Sequence, residues 1–282
     1  MRYRIGMLGL GSIGQRMLAS IACHDRFEVC AAWDPSARAC ERARANHGSV
    51  RLAADAASLV GDEKVDLVYV ACPPAFHREH ALSAVEAGKP IFCEKPLGVD
   101  LAESRELVSG VEKSGRPNAV NLLFGAARSA TVVASAQEQG ALGEVVSVEL
   151  RLHLPRWAAR RMAEAPWLNG RAQGGFVREV GTHYVYLCQR LFGPVSVRHV
   201  ALQFPHDGVG AERYAHVELA AGRIPIVITG TTAGTGPELN ECTVWGSKTA
   251  YRIRDIHLLD IADGNGWIEA FPAPELPERD TH

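Results

Sequence analysis

Arg4-Ile-Gly-Met-Leu-Gly-Leu-Gly-Ser-Ile-Gly14 is the stretch that decides the fold. A short apolar run, Arg4–Leu8, reads as a first β-strand. It stops at Gly9-Leu-Gly11-Ser12-Ile13-Gly14, a G-x-G-x-x-G pattern, and Gly14–Ile21 then carries apolar residues at helical spacing. Three glycines at that spacing have a chemical use. One makes the tight turn, one lets the backbone approach a pyrophosphate, and one lets helix and strand pack closely. The N-terminus of the helix adds free N–H groups and the positive end of its dipole. Gly9, Gly11, Ser12, Ile13 and Gly14 are therefore expected to cradle a dinucleotide. Asp34, 20 residues past Gly14 at the end of the next apolar run, fits the carboxylate that binds a ribose 2′-hydroxyl and repels a 2′-phosphate. That expectation favours NAD. Arg38, one helical turn further on, leaves NADP open.

Outward from this turn the first 120 residues alternate in period. Strand-like runs at Phe27–Trp33, Val65–Ala71, Ile91–Cys93 and Ala119–Leu123 are separated by helical stretches at Ser36–Ala45, His77–Ala87 and Leu101–Ser114. Val65–Ala71 is a nearly unbroken apolar run, as in a strand buried on both faces. Such alternation predicts right-handed crossovers and a doubly wound parallel sheet over residues 1–120. From residue 121 to 282 the rhythm changes. A helix is expected at Ser129–Gln139, a strand at Glu144–His153, a loop over Leu154–Gly175 and a helix at Val177–Leu191. Strand-like runs separated by turn signals follow from Val195. This reads as an α+β domain with an open, mainly antiparallel sheet, closed by an extended tail over Phe271–His282.

Composition narrows the function classes. The 282 residues are 47% hydrophobic and 22% charged, which is globular usage. Thirty Lys and Arg against 32 Asp and Glu give a net charge of −2, which excludes binding nucleic acid by bulk electrostatics. No apolar run approaches the length of a membrane span, and the glycine-broken start is too short for a secretory segment. Seven cysteines, without a Cys-x-x-Cys pair, suggest a reduced, cytoplasmic chain and no zinc site. His77 and His80 could share a helix face, but no partner cluster accompanies them, so no metal is expected.

A longer segment is more specific. Ala71-Cys-Pro-Pro-Ala-Phe-His-Arg-Glu-His80 leads through Gly88-Lys-Pro-Ile-Phe-Cys-Glu-Lys-Pro96. With the glycine turn, it resembles the glucose–fructose oxidoreductase / inositol dehydrogenase / MocA (Gfo/Idh/MocA) family. Gly174-Gly-Phe-Val-Arg-Glu-Val-Gly-Thr-His183 and Val244-Trp-Gly-Ser-Lys248 are similar to later motifs of that family. The resemblance spans nearly the whole chain. It implies an N-terminal Rossmann domain, a nicotinamide-dependent dehydrogenase or reductase, and a homodimer or homotetramer formed through the C-terminal sheet. By position, Lys95 matches the family's catalytic lysine, His183 its catalytic histidine, and Glu179 an aspartate. Cys72, Pro73, His77, Glu94 and Lys95 fall on the cofactor side, and Pro96 where a cis peptide bond is common.

The residue chemistry agrees. A hydride leaves an alcohol carbon only as the hydroxyl proton leaves, which needs a base near neutral pKa such as histidine. A lysine ammonium stabilises charge developing on the same oxygen. His183 is thus expected as acid/base, Lys95 as polariser and orienter, and Glu179 as orienter or alternate base. The loop around Arg156, Trp157, Arg160, Arg161 and Arg171 could hold an anionic substrate, since guanidinium groups suit carboxylates and phosphates. With Lys95, Glu179 and His183, the residues Arg156, Trp157 and Arg160 form the expected substrate set. Two other readings stand beside this one, and the departures from the family at Glu179 and Tyr186, both aspartate there, permit the first. One is a nucleotide-bound sensor without turnover; the other is a redox-neutral enzyme that uses NAD transiently. The second sheet is expected to present an apolar face that a partner copy covers.

Overall fold

The computed structural model describes residues 1–157, 165–262 and 264–271. Two compact units emerge, one built on Met1–Asn121 and one on Leu122 onward. The expected tail over 272–282 lies outside the described residues, as do Arg160 and Arg161.

The first unit is a six-stranded parallel sheet in the order β3-β2-β1-β4-β5-β6. Its strands are β1 (Tyr3–Leu8), β2 (Phe27–Trp33), β3 (Arg51–Leu52), β4 (Leu67–Val70), β5 (Ile91–Cys93) and β6 (Asn118–Val120). The helices between them are α1 (Ser12–Ala22), α2 (Ala37–Asn46), α3 (Ala56–Val60), α4 (His77–Glu86) and α5 (Leu101–Ser114). Alternation along the strands feeds two cores. Ile5, Met7 and Tyr69 enter one face, while Leu8, Val68 and Val70 enter the other. Helix starts follow local chemistry: Ser36, Asp55 and Asp100 each accept a first-turn N–H with a side-chain oxygen. Gly115, with φ +63°, ends α5 in the left-handed region. The strand β3 and helix α3 were not expected from the sequence.

The second unit carries α6 (Arg128–Glu138), β7 (Val145–His153), α7 (Thr182–Phe192), β8 (Val195–Gln203), β9 (Tyr214–Ala221), β10 (Ile224–Thr231), β11 (Leu239–Gly246), β12 (Ala250–Arg254), β13 (Leu258–Ala262) and β14 (Trp267–Glu269). Its eight strands run in the order β14-β13-β12-β11-β7-β10-β9-β8. Only β7 and β10 pair in parallel; the other pairs are antiparallel. Helices α6 and α7 cover one face, over Leu150, Leu152, Val217, Ile228, Val244 and Ile253.

The other face corrects the expectation of an apolar surface. Alternation places Glu149, Arg151, Glu241, Thr243, Arg252, Arg254 and Asp260 there. Arg254 holds Asp260 through two bonds of 2.7 and 2.9 Å, Arg252 reaches the same carboxylate at 2.9 Å, and Arg151 pairs with Glu241. Cross-strand ion pairs satisfy this face without apolar cover. Exposed apolar side chains lie on edge strand β8, at Val197 (66% exposed), Val200 (48%) and Leu202 (39%), and also at Val146, Trp245 and Ile268.

Candidate active site

In the first unit the glycine turn leads from β1 into α1. Gly9 has φ +103°, and a Cβ there would lie 2.6 Å from the Cys72 nitrogen. At Gly14 a Cβ would lie 2.2 Å from the Gly9 carbonyl oxygen. Both positions exclude any side chain on internal grounds. Gly11 differs: a Cβ there would meet nothing within 4 Å, and no side chain caps α1. Space and free helix-start N–H groups coincide where a pyrophosphate would approach, so Gly9, Gly11, Ser12, Ile13 and Gly14 fit a dinucleotide.

Asp34 ties this turn to the end of β2. Its Oδ2 accepts the Leu10 N–H at 2.7 Å and its Oδ1 the Ser36 N–H at 2.8 Å. Each oxygen keeps a lone pair for a ribose hydroxyl. Two residues absent from the expected set, Gln15 and Arg42, donate to the Leu10 carbonyl at 3.2 Å each. Arg42 follows Arg38 at i+4 on α2, so the same helix face carries both; Arg38 is exposed.

The turn after β4 holds Cys72 and Pro73. Burial pushes the Cys72 thiol up to about 12, so it stays protonated near neutrality. His77 opens α4 and is fully buried. Its Nδ1 lies 2.8 Å from the Pro96 carbonyl and its Nε2 2.8 Å from the Cys72 carbonyl. The ring therefore braces backbone rather than offering a nitrogen to a ligand. His80 packs edge-on against Trp33, with ring centroids 6.0 Å apart. Among the described residues no group of three His, Cys, Asp or Glu is placed to hold a metal.

After β5 come Glu94, half-buried Lys95 and Pro96, with a cis Lys95–Pro96 peptide bond. Glu94 is buried, and its Oε1 accepts the Tyr69 hydroxyl and the Asn121 amide, the latter at 2.6 Å. Burial, reinforced by the Glu94 charge, pushes the Tyr69 phenol far above its ordinary pKa. Tyr69 and Asn121 went unnoticed in the sequence. The signal was a polar-tipped residue inside an otherwise aliphatic strand.

In the second unit, Gly174 and Gly175 precede a π-helical turn, Val177–Gly181, that runs into α7. The sequence predicted one continuous helix. Single π turns concentrate at functional sites, and this one carries Glu179 one turn ahead of His183. Both are buried, at 8% and 6% exposure. The Leu123 N–H donates to His183 Nδ1 at 3.4 Å, which puts the proton of the neutral ring on Nε2. Leu123 opens a single 3₁₀ turn, so its N–H has no helical acceptor. Glu212, which the sequence also hid, accepts the Val177 N–H at 2.8 Å and secures the start of the π turn.

Of the arginine loop, Arg156, Trp157 and Arg171 lie within the described residues. Arg156 is exposed on the turn after β7, and Trp157 packs edge-on against Phe176 at 6.4 Å. The buried indole N–H of Trp157 finds no acceptor among the described residues. Arg171 is exposed and stacks 3.9 Å over the Phe204 ring.

Two family models match the chain. Residues 3–122 match the Gfo/Idh/MocA oxidoreductase family, NAD-binding Rossmann fold, and residues 131–252 match its C-terminal domain. The chain belongs to the Gfo/Idh/MocA oxidoreductase family. D-Apiose dehydrogenase from Paraburkholderia graminis is 25% identical over 97% of this chain and 73% of its own length. 1,5-Anhydro-D-fructose reductase from Ensifer adhaerens is 27% identical over 64% of this chain and 54% of its own. The WlbA dehydrogenase from Bordetella pertussis, solved with NADH and UDP-GlcNAcA, superposes with a TM-score of 0.82 at 24% identity; the match covers 97% of this chain and 79% of that one. These Gfo/Idh/MocA relatives are dehydrogenases and reductases, and the nicotinamide dinucleotides are the cofactor class. No helix among the described residues is long and apolar enough to cross a membrane.

Proposed function

We propose that this Gfo/Idh/MocA oxidoreductase moves a hydride between nicotinamide C4 and a hydroxyl-bearing or carbonyl carbon of a small sugar or polyol, with NAD preferred. A carboxylate-bearing sugar is the anionic version of that substrate, with Arg156 and the Trp157 indole N–H as its handles. The observation that carries the reading is buried Glu179 on the π turn, one turn ahead of buried His183 on α7, with the Leu123 N–H on His183 Nδ1. A dinucleotide accepts or supplies the hydride; the proton is the protein's task. In the reducing direction the His183 Nε2 proton passes to the new alcohol oxygen. In the oxidising direction His183 takes the hydroxyl proton instead. Lys95 donates a hydrogen bond to the oxygen as charge builds on it, and Glu179 orients His183. The adenosine ribose falls to Asp34, whose charge repels a 2′-phosphate, and the pyrophosphate to Gly11, Ser12 and Ile13.

Retention of Lys95 and His183 favours an enzyme over a sensor, because a binder needs neither. The seven free cysteines suit a reducing cytoplasm. A homo-oligomer formed through the second sheet is supported by the exposed Val197, Val200 and Leu202 of β8; light scattering at micromolar concentration tests it. The chemistry is tested by replacing Lys95 and His183 separately with alanine. Each change should lower kcat by about 10²–10⁴-fold, and in His183→Ala NADH affinity should stay within threefold. Full turnover in either variant would remove that residue from the reaction.

A further inference from the structure

His77 is used twice over, and neither use is contact with a ligand. Its two ring nitrogens stand 2.8 Å from two main-chain carbonyls 24 residues apart, those of Cys72 and Pro96. A neutral imidazole has one N–H and can bond only one of them. A ring protonated at both nitrogens bonds both. The Cys72 carbonyl belongs to the turn whose backbone is pressed against Gly9, 2.6 Å from where a Cβ of Gly9 would lie. The Pro96 carbonyl belongs to the residue after Lys95. One fully buried ring therefore spans the glycine turn and the lysine turn at the C-terminal edge of the parallel sheet.

We propose that His77 is a positioning residue that couples dinucleotide seating at the glycine turn to the placement of Lys95. The inference rests on the reading above that this edge holds the cofactor and that Lys95 faces the reacting oxygen. Two strand ends that open into separate turns have no covalent reason to move together. A ring wedged between both, 2.8 Å from each carbonyl and bonded to one when neutral and to both when protonated, supplies one. The charged groups acting on the ring are Glu94, which favours its protonated form, and Lys95, which opposes it. Burial is the largest influence and pushes the ring's pKa below its ordinary value, so acid favours the doubly bonded clasp.

The chain has five lysines, Lys64, Lys89, Lys95, Lys113 and Lys248, which makes one lysine readable. The lysines are ¹³C-dimethylated, the Lys95 resonance is assigned with Lys95→Arg, and NADH is titrated into wild type, His77→Ala and His77→Gln. In wild type the Lys95 resonance should shift on NADH binding. In His77→Ala, NADH affinity should fall about tenfold, the worth of one buried hydrogen bond, and the Lys95 shift should drop below half. His77→Gln, which retains one donor, should fall between them. A folded His77→Ala that binds NADH within twofold of wild type, with an undiminished Lys95 shift, overturns the coupling. So does a wild-type Lys95 resonance that ignores bound NADH. Should the alanine variant fail to fold, His77→Gln with wild-type affinity and shift overturns the coupling equally. If wild type does not bind NADH at all, the cofactor reading falls and the coupling falls with it.

Discussion

Gly175→Ala should break the start of the π turn, and the size of the effect follows from two contacts. Gly175 has φ +105°, a backbone conformation that costs an alanine about 1–3 kcal/mol. Its new Cβ would also lie 2.3 and 2.7 Å from the two Glu212 carboxylate oxygens. Glu212 is buried, and its Oε1 holds the Val177 N–H at 2.8 Å. The carboxylate has to withdraw, and that charged hydrogen bond, worth about 1.5–3 kcal/mol, is lost. The sum is about 2.5–6 kcal/mol, a large part of ordinary domain stability. At about 2–4 °C per kcal/mol, the thermal midpoint should drop by about 5–24 °C. Calorimetry on Gly175→Ala, Glu212→Ala and the double variant separates the two contributions. With Glu212 already removed, Gly175→Ala should cost only the backbone part, so the double variant should fall short of the sum by about 1.5–3 kcal/mol. Additive single effects, or a loss under about 1 kcal/mol for Gly175→Ala, would refute the reasoning.

Asp34→Ala frees the Leu10 and Ser36 N–H groups and removes the charge opposed to a 2′-phosphate. NAD binding should weaken by about tenfold or more while the NADP-to-NAD preference rises, as read by fluorescence titration of the two reduced cofactors. Tyr69→Phe and Asn121→Ala each remove one donor from the buried Glu94, so each should cost about 1–3 kcal/mol in denaturant unfolding. Three donors of Arg4 hold Asp66 at about 2 against an ordinary 3.8. A lowered carboxylate contributes stability above its unfolded pKa and loses it as acid is added. The loss should therefore fall between about pH 4 and pH 2 and amount to about 1 kcal/mol for this partly exposed pair. Asp66→Asn should flatten that limb of the pH–stability curve.

The first unit was legible because its signals are local. The glycine spacing, the carboxylate at the end of β2 and the unbroken apolar run of β4 each fit within one element. Strand β3, with two residues, and helix α3, with five, are too short to complete a period and escaped notice. The interior of the site was less legible. Tyr69, Asn121, Arg42 and Glu212 act through partners 25, 27, 32 and 35 residues away, and sequence spacing carries no sign of them. The π turn keeps the apolar pattern of an α-helix, so periodicity could not reveal it. The second sheet's outer face carries charges at Arg151, Glu241, Arg252, Arg254 and Asp260. Its charges alternate along β7, β11 and β12 and pair only across strands, which the chain order does not show.

Hydride transfer is read from nicotinamide absorbance during turnover. The protein would be mixed with NAD or NADP and a panel of sugars, polyols, hydroxy acids and sugar acids. The reduced cofactors would be tried with the matching ketones. Absorbance should change with at least one sugar or polyol, faster with NAD than with NADP, and the change should be lost in Lys95→Ala and His183→Ala. Tight NADH binding with no absorbance change across the panel would contradict the account and leave a nucleotide-bound sensor or a redox-neutral enzyme.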